Sequence, residues 1–391
     1  MSFNIKTLQN LISKLYYIKL FTVIIICSLG IITYSNTFHS PFHFDDEPYI
    51  VNNFSIRNIS NLHNIWNFFP SRFITILTLA LNYHFSQLNV FSYHISNLAI
   101  HLGAAILVWW LVILIFSTPI MKKGTLSKYA NPIALFIALI FVSHPIQTES
   151  VTYIWQRTTS LTGFFYLFSL CFYIKSRLLK IDNNTASKWG LFYAISYIFC
   201  ILIMFTKENA ATLPLIIILC EFCFFNINRY SDWKYALYFL ITLLIVPVIL
   251  FSTRTNSFIA IQRLIDKPLN NAGSYFLTQF RVIVTYIRLL FLPLNQNLDY
   301  DYPIAKGLMD ITTLGSLSIL ITIIISAVKL LPRYRILSFG IFWFFITLLP
   351  ESSIMPLDDV IFEHRLYLPM VGYSLFIVAG LYYLFTKNPL N

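Results

Sequence analysis

Residues 15–35 read LYYIKLFTVIIICSLGIITYS, a run that is apolar throughout except for Lys19. A helix needs about 20 such residues to cross the hydrocarbon core of a bilayer. The run is too long for a signal-peptide core, and no small-residue cleavage site follows it, so we expect a retained first helix. Similar runs recur along a chain that is 57% hydrophobic. The sequence therefore predicts an all-α polytopic membrane protein.

The apolar runs predict about ten transmembrane helices, some of them short. They lie near residues 15–35, 91–117, 130–143, 151–174, 189–205, 208–225, 235–252, 311–329, 334–350 and 366–386.

A further run at 275–292 carries Arg281 and Arg288 on one helical face. If this run lies in the interface or re-enters the membrane, most of the basic residues collect on one side, as the positive-inside rule requires. We therefore expect an interfacial or re-entrant helix here and both termini in the cytoplasm.

This topology gives one membrane domain over residues 1–391, with no separate soluble domain. Two long loops, 36–90 and 253–310, lie on its outer side. The net charge of +11 comes from basic residues scattered among short loops, so it indicates membrane topology and no nucleic-acid partner.

The first outer loop contains FDDE, in which Asp45, Asp46 and Glu47 follow one another. Adjacent carboxylates repel, which should raise the pKa of at least one and suit it to accept a proton near pH 7. The alternative is a solvated acidic turn that caps a helix, favoured by Pro48.

The segment HPIQTESVTYIWQR begins at His144, where Pro145 should end the preceding helix. We expect Glu149 and Gln156 to share one face of the next helix, with Arg157 beside it. Polar groups near a membrane helix end indicate either a pocket for a polar ligand or an internal pairing of Glu149 with Arg157, and the two readings have equal weight.

Other charged residues on the outer side are candidates for binding an anion, because guanidinium and ammonium groups match phosphate oxygens. Each has a structural alternative as well: solvation of a Lys-Glu turn, snorkelling to lipid head groups, or pairing of Glu363 with Arg365. The candidates are Lys207, Glu208, Arg281, Arg288, Glu363 and Arg365.

No metal site is predicted. The DDE acids have no second set of ligands, and CEFC at 220–223 lies in an apolar run without a second ligand pair, so packing is the expected role of its cysteines.

Several motifs in one order resemble the membrane domain of the transmembrane and tetratricopeptide-repeat O-mannosyltransferases and their bacterial relatives. These motifs are FDD, HPIQTESVTYIWQR, TKENAATLP, LTQFRVIVTYIRLLFLPLNQNLDYDYP and EHRLYLPMVGYSL. The resemblance runs from about residue 20 to 386. The sequence ends at Asn391 without such repeats, so we expect no acceptor selection by repeats.

The resemblance implies a GT-C glycosyltransferase fold with the acidic motif at the active site, Asp45 as catalytic base and Asp46 as its neighbour. It implies a sugar donor on a polyprenyl or dolichyl phosphate, with mannose as one candidate sugar, and no metal or other cofactor. The acceptor would be a hydroxyl of a protein, glycan or lipid, attacked with inversion.

Two other functions fit the same features: a carrier or flippase for lipid-linked sugars, and a non-catalytic membrane subunit. The compact length favours a bacterial cytoplasmic membrane, with the active site facing the periplasm or exterior. In that setting membrane lipids surround the chain.

Overall fold

The computed structural model describes residues 5–182, 188–225, 230–252, 269–353, 357 and 359–386, and these residues are mostly helical with no strand among them. Residues 253–268 of the predicted second outer loop lie outside this range. The α-helices are, in chain order, α1 (Ile5–Tyr34), α2 (Leu62–Phe68), α3 (Phe73–Ser86), α4 (Val90–Phe116), α5 (Ala130–Ser143), α6 (Thr148–Thr152), α7 (Arg157–Ile181), α8 (Lys188–Ile203), α9 (Leu213–Phe224), α10 (Tyr230–Leu237), α11 (Ile245–Ser252), α12 (Leu269–Phe291), α13 (Ile311–Leu330), α14 (Arg335–Leu348) and α15 (Pro369–Phe385).

Within the described ranges, four segments are long and apolar enough to cross a membrane: Tyr17–Thr37, Val90–Phe116, Thr125–Ser143 and Ile311–Leu330. Shorter apolar helices cover Lys188–Ile203, Trp233–Ile249, Arg335–Leu348 and Pro369–Phe385. The helical, membrane-spanning class is therefore confirmed, while the count of ten crossings stays a prediction.

The helix predicted at 151–174 is interrupted, which corrects the expected face shared by Glu149 and Gln156. Helix α6 ends at Thr152, Tyr153 is extended with ψ of 112°, and a 3₁₀ turn over Ile154–Gln156 precedes α7. No proline or glycine marks this break in the sequence. At the break, Tyr153 and Trp155 contact the first outer loop.

The main apolar core lies between the long helices. Helix α4 packs against both α5 and α7, α7 packs against α8, and α14 packs against α15. A second, smaller core forms inside the loop 36–90, where Ile50, Ile65 and Ile76 are buried together with Trp155. This outer loop is therefore a packed cap over one end of the bundle.

Helices α14 and α15 approach closely at two glycines. A Cβ atom on Gly340 would lie 2.6 Å from the carbonyl oxygen of Gly372, too close for any real contact. Glycine is required here because the neighbour is backbone and cannot rotate away.

We expect Gly340→Ala to cost about 1 to 3 kcal/mol of stability through overpacking. Gly380→Ala is the matched control, because its nearest neighbour would be Leu337 Cδ2 at an ordinary 3.9 Å. Thermal unfolding in detergent should show a lower midpoint for Gly340→Ala and an unchanged or higher one for Gly380→Ala. Equal midpoints would contradict the close approach of the two helices.

Candidate active site

The two aspartates of the first outer loop have opposite environments. Asp46 is fully buried, and its carboxylate accepts hydrogen bonds from the backbone N–H of Trp155 at 2.7 Å and of His43 at 3.0 Å. Asp45 is exposed, and its side chain lines a cavity. Asp46 is therefore occupied in holding the backbone, while the Asp45 carboxylate faces the space where a substrate could bind.

The loop is fixed on both sides of Asp45. The backbone N–H of Asp45 donates to the hydroxyl of Tyr153 at 2.8 Å. Phe44 has a φ of 44°, in the left-handed region that a phenylalanine rarely adopts. Tyr49 stacks on Trp155 with ring centroids 3.9 Å apart. The contacts that hold Asp45 thus come from the interruption between α6 and α7.

The cavity beside Asp45 measures about 230 Å³. Its wall combines carboxylates, an amide and aromatic rings, a mixture that can contact both the hydroxyls and the apolar face of a sugar. The lining residues are Phe44, Asp45, Tyr153, Gln156, Leu298, Asp299, Asp359 and Phe362.

A second cavity of about 340 Å³ lies on the other side of Tyr153 and Leu298, which line both. Hydroxyl, amide and carboxyl groups are set in a wall whose larger part is apolar. It is lined by Thr37, Ser40, His43, Thr148, Glu149, Thr152, Tyr153, Gln296, Asn297, Leu298 and Glu363.

Of the two alternatives for Glu149 and Arg157, their pairing with each other is wrong. Glu149 accepts the backbone N–H of His364 at 2.8 Å and bonds the His364 ring through Nδ1. Burial raises the pKa of Glu149 to about 7 and lowers the pKa of His364 well below its usual value, so burial favours the neutral form of each. Arg157 instead donates to Asn97 at 2.6 Å and Asn82 at 2.5 Å.

The structural alternative for Glu363 and Arg365, their pairing with each other, is also wrong. Glu363 accepts from the backbone N–H of Asn297 at 2.8 Å, from Gln296 and from the Tyr300 hydroxyl. Arg365 is buried and donates to the carbonyl oxygens of Val360 and Asp359. The two residues are close in the sequence, but side chains that are neighbours in a tight turn can point to opposite sides.

The four predicted phosphate-binding cations do not line either cavity. Lys207 pairs with Glu351 at 2.7 Å, and Arg281 lies 3.7 Å from Asp310. Arg288 donates to the carbonyl oxygen of Leu294 at 3.1 Å. Arg365 is connected to the cavity beside Asp45 through one residue: it donates to the carbonyl oxygen of Asp359, and Asp359 lines that cavity.

The remaining predicted site residues lie at the same end of the bundle. His144 bonds the carbonyl oxygen of Leu290 at 3.0 Å and caps the following turn. Gln156 accepts from Thr159 at 3.0 Å and lines the cavity beside Asp45. Glu208 accepts from Ser71 and lies 3.6 Å from Arg72.

Tyr153, Leu298 and Asp299 line the cavity beside Asp45 and were not predicted as site residues. Each lies inside one of the motifs that carry the family resemblance, and nothing else in the sequence distinguishes it from its neighbours. No cluster of three or more His, Cys, Asp or Glu able to hold a metal occurs among the residues that the structure describes.

Several curated proteins are similar to this chain. Protein O-mannosyl-transferase F38B6.6 of Caenorhabditis elegans is 26% identical over 387 residues, covering 90% of this chain and 50% of that protein. Protein O-mannosyl-transferase Tmtc3 of Drosophila melanogaster is 26% identical over 430 residues, covering 91% of this chain and 45% of that protein. Human protein O-mannosyl-transferase TMTC4 is 26% identical over 205 residues, covering 48% of this chain and 27% of that protein.

The chain is homologous to protein O-mannosyl-transferases. It spans half or less of the length of these three relatives. No protein-family model matches the chain, and no solved structure matches it significantly. The relatives are animal proteins, so they give no support to the bacterial membrane predicted from the compact length.

The buried carboxyl of Asp46 should make stability depend on pH. Burial raises its pKa from 3.8 to about 6, so the folded state binds this proton more tightly than the unfolded chain. The resulting stabilisation, about 3 kcal/mol, is fully present below pH 3.8 and is lost as the pH rises through 6.

We expect the thermal midpoint of the wild type to fall more steeply between pH 4 and 6.5 than that of Asp46→Asn, which cannot titrate. The comparison of slopes removes the pH-independent cost of the substitution and the shared contribution of Glu149. Parallel profiles would show that Asp46 does not titrate in this range.

Proposed function

We propose that the chain is a GT-C-type membrane glycosyltransferase that moves a sugar from a polyprenyl or dolichyl phosphate to an acceptor hydroxyl. The observation that carries the proposal is the exposed Asp45 carboxylate, held by backbone contacts at the wall of a cavity. The names of the relatives favour mannose as the sugar and a protein Ser or Thr as the acceptor.

Asp45 takes the proton from the acceptor hydroxyl as its oxygen attacks the anomeric carbon. The bond between that carbon and the phosphate oxygen breaks, and the lipid phosphate leaves with the electron pair. One displacement from the opposite face inverts the anomeric configuration. Asp46 serves this step by fixing the loop, because its carboxylate is fully used by two backbone N–H groups.

The leaving phosphate requires positive charge nearby. Among the four candidates, Arg365 is the best placed, because it sits directly behind the wall formed by Asp359 and Phe362. Lys207 could contribute only by leaving Glu351, with which it forms a buried ion pair. Arg281 and Arg288 lie on α12 and would act on a donor that approaches along that helix.

The larger cavity beyond Tyr153 is the proposed acceptor side. Its hydroxyl and amide groups can bond a peptide backbone or a glycan, and Tyr153 separates it from the cavity that contains Asp45. An acceptor hydroxyl that passes Tyr153 would reach the base, while the donor approaches from the other side.

The proposed topology keeps ten crossings, with α12 interfacial and both termini cytoplasmic. The two acidic cavities would then face the periplasm or the lumen, where lipid-linked sugars replace nucleotide sugars as donors. Such a donor keeps its prenyl tail among the membrane lipids, which explains a transferase built from apolar helices.

We expect Asp45→Asn to lower the transfer rate by 10²-fold to 10⁴-fold, the usual contribution of a general base. The measurement is transfer of mannose from dolichyl phosphate mannose to a serine- and threonine-containing peptide by purified protein. Because Asp45 is exposed, the thermal midpoint should not change.

Glu47→Gln is the matched control. Glu47 is also exposed, and its substitution removes the same charge two residues away from Asp45. Its activity should stay within threefold of wild type. Full activity in Asp45→Asn would overturn the assignment of the base, and equal losses in both variants would point to a general charge effect.

The proposed mechanism assigns no step to a metal or other cofactor. Incubation with EDTA followed by dialysis should therefore leave the transfer rate unchanged. A loss of activity that added Mn²⁺ or Mg²⁺ restores would overturn this part of the proposal and make the carboxylates near Asp45 metal ligands.

A further inference from the structure

A third cavity lies at the opposite end of the bundle from Asp45. It measures about 250 Å³ and is formed by the loop after α4, the turn between α13 and α14, and the end of α15. Helix α4 has its first residues beside the outer loop, where His94 bonds Ser40, and its last residues lead into this cavity. Its length of about 40 Å separates the two ends.

Three cations line this cavity: Lys123, Arg333 and Arg335. No carboxylate within the described ranges forms a salt bridge with any of them, in contrast to Arg177 and Lys207, which are paired with acids. The remaining lining residues, among them Gly124 and Tyr383, carry no negative charge. The cavity is therefore a concave surface with net positive charge.

The walls of the cavity are built by specific contacts. Arg335 donates to the carbonyl oxygen of Cys223 at 3.0 Å, which anchors its guanidinium. The hydroxyl of Ser127 donates to the carbonyl of Gly124 at 2.7 Å and closes the loop that carries Lys123. Tyr334 and Tyr383 pack with ring centroids 4.8 Å apart beside the cations. Helix α14 begins at Arg335, so its positive N-terminal end lies at this cavity.

We propose that this cavity binds a phosphate group, at a site separate from the transferase site. Two guanidinium groups and one ammonium match the oxygens of a phosphate monoester or diester. Basic cavities between helices on the cytoplasmic side of membrane proteins bind the head groups of anionic lipids. A soluble phosphate compound offers the same chemistry, so the experiment separates the two sources.

General topology alone does not account for this arrangement. Positive charge at the cytoplasmic end requires only that basic residues be present there. Lys122 and Lys128 meet that requirement and do not line the cavity. They provide a control of equal charge on the same loop.

The test compares Lys123→Gln/Arg333→Gln with Lys122→Gln/Lys128→Gln in the full chain. All four side chains are exposed, so both variants should fold, which thermal unfolding will check. Native mass spectrometry of detergent-purified protein would count bound dioleoyl phosphatidylglycerol and dioleoyl phosphatidylcholine. We expect the wild type and the control to bind phosphatidylglycerol in preference to phosphatidylcholine. The cavity variant should bind at least fivefold less phosphatidylglycerol than the wild type.

Equilibrium dialysis with labelled inorganic phosphate forms the second arm. Phosphate binding that the cavity variant loses identifies a soluble ligand, and retention of phosphatidylglycerol without phosphate binding identifies a lipid head group. Equal behaviour of the two double variants in both arms would overturn the proposal. Neither readout requires transferase activity, so the result is independent of the proposed function.

Discussion

The site depends on one buried carboxylate. Asp46 lies fully inside the protein and accepts backbone hydrogen bonds from its own loop and from Trp155, 109 residues further along the chain. This contact ties the outer cap to the interruption between α6 and α7. A buried carboxylate is costly unless its oxygens are satisfied, and here two backbone donors satisfy them. The adjacent Asp45 is left exposed at a cavity wall.

Most other charges at this end of the bundle are already paired. Lys207 pairs with Glu351, and Arg157 donates to amide and carbonyl oxygens, while Glu149 and His364 bond each other in an environment that favours their neutral forms. Such pairing is expected where water is scarce, because an unpaired buried charge costs several kcal/mol. The pairing reduces the number of side chains available for catalysis, because a residue that already bonds its neighbours is less free to bind a substrate. Asp45 differs from these groups in being exposed at a cavity wall, where the Tyr153 hydroxyl is its hydrogen-bonding neighbour.

The two ends of the bundle differ in charge as well as in shape. The cavities near Asp45 are lined by carboxylates, amides and hydroxyls, whereas the cavity at the far end is lined by three cations without acids. An asymmetric charge distribution of this kind is typical of membrane proteins. The far cavity adds a defined concave shape to that general tendency.

The sequence by itself determined most of the long helices, because a continuous apolar run is a local property. The run predicted at 130–143 is the helix Ala130–Ser143. Only the tertiary structure decided the partners. Glu149 meets His364 across 215 residues, a pairing that no spacing rule predicts. The break at Tyr153 was equally invisible in the sequence, because the carboxylate that accepts the freed N–H of Trp155 belongs to another loop.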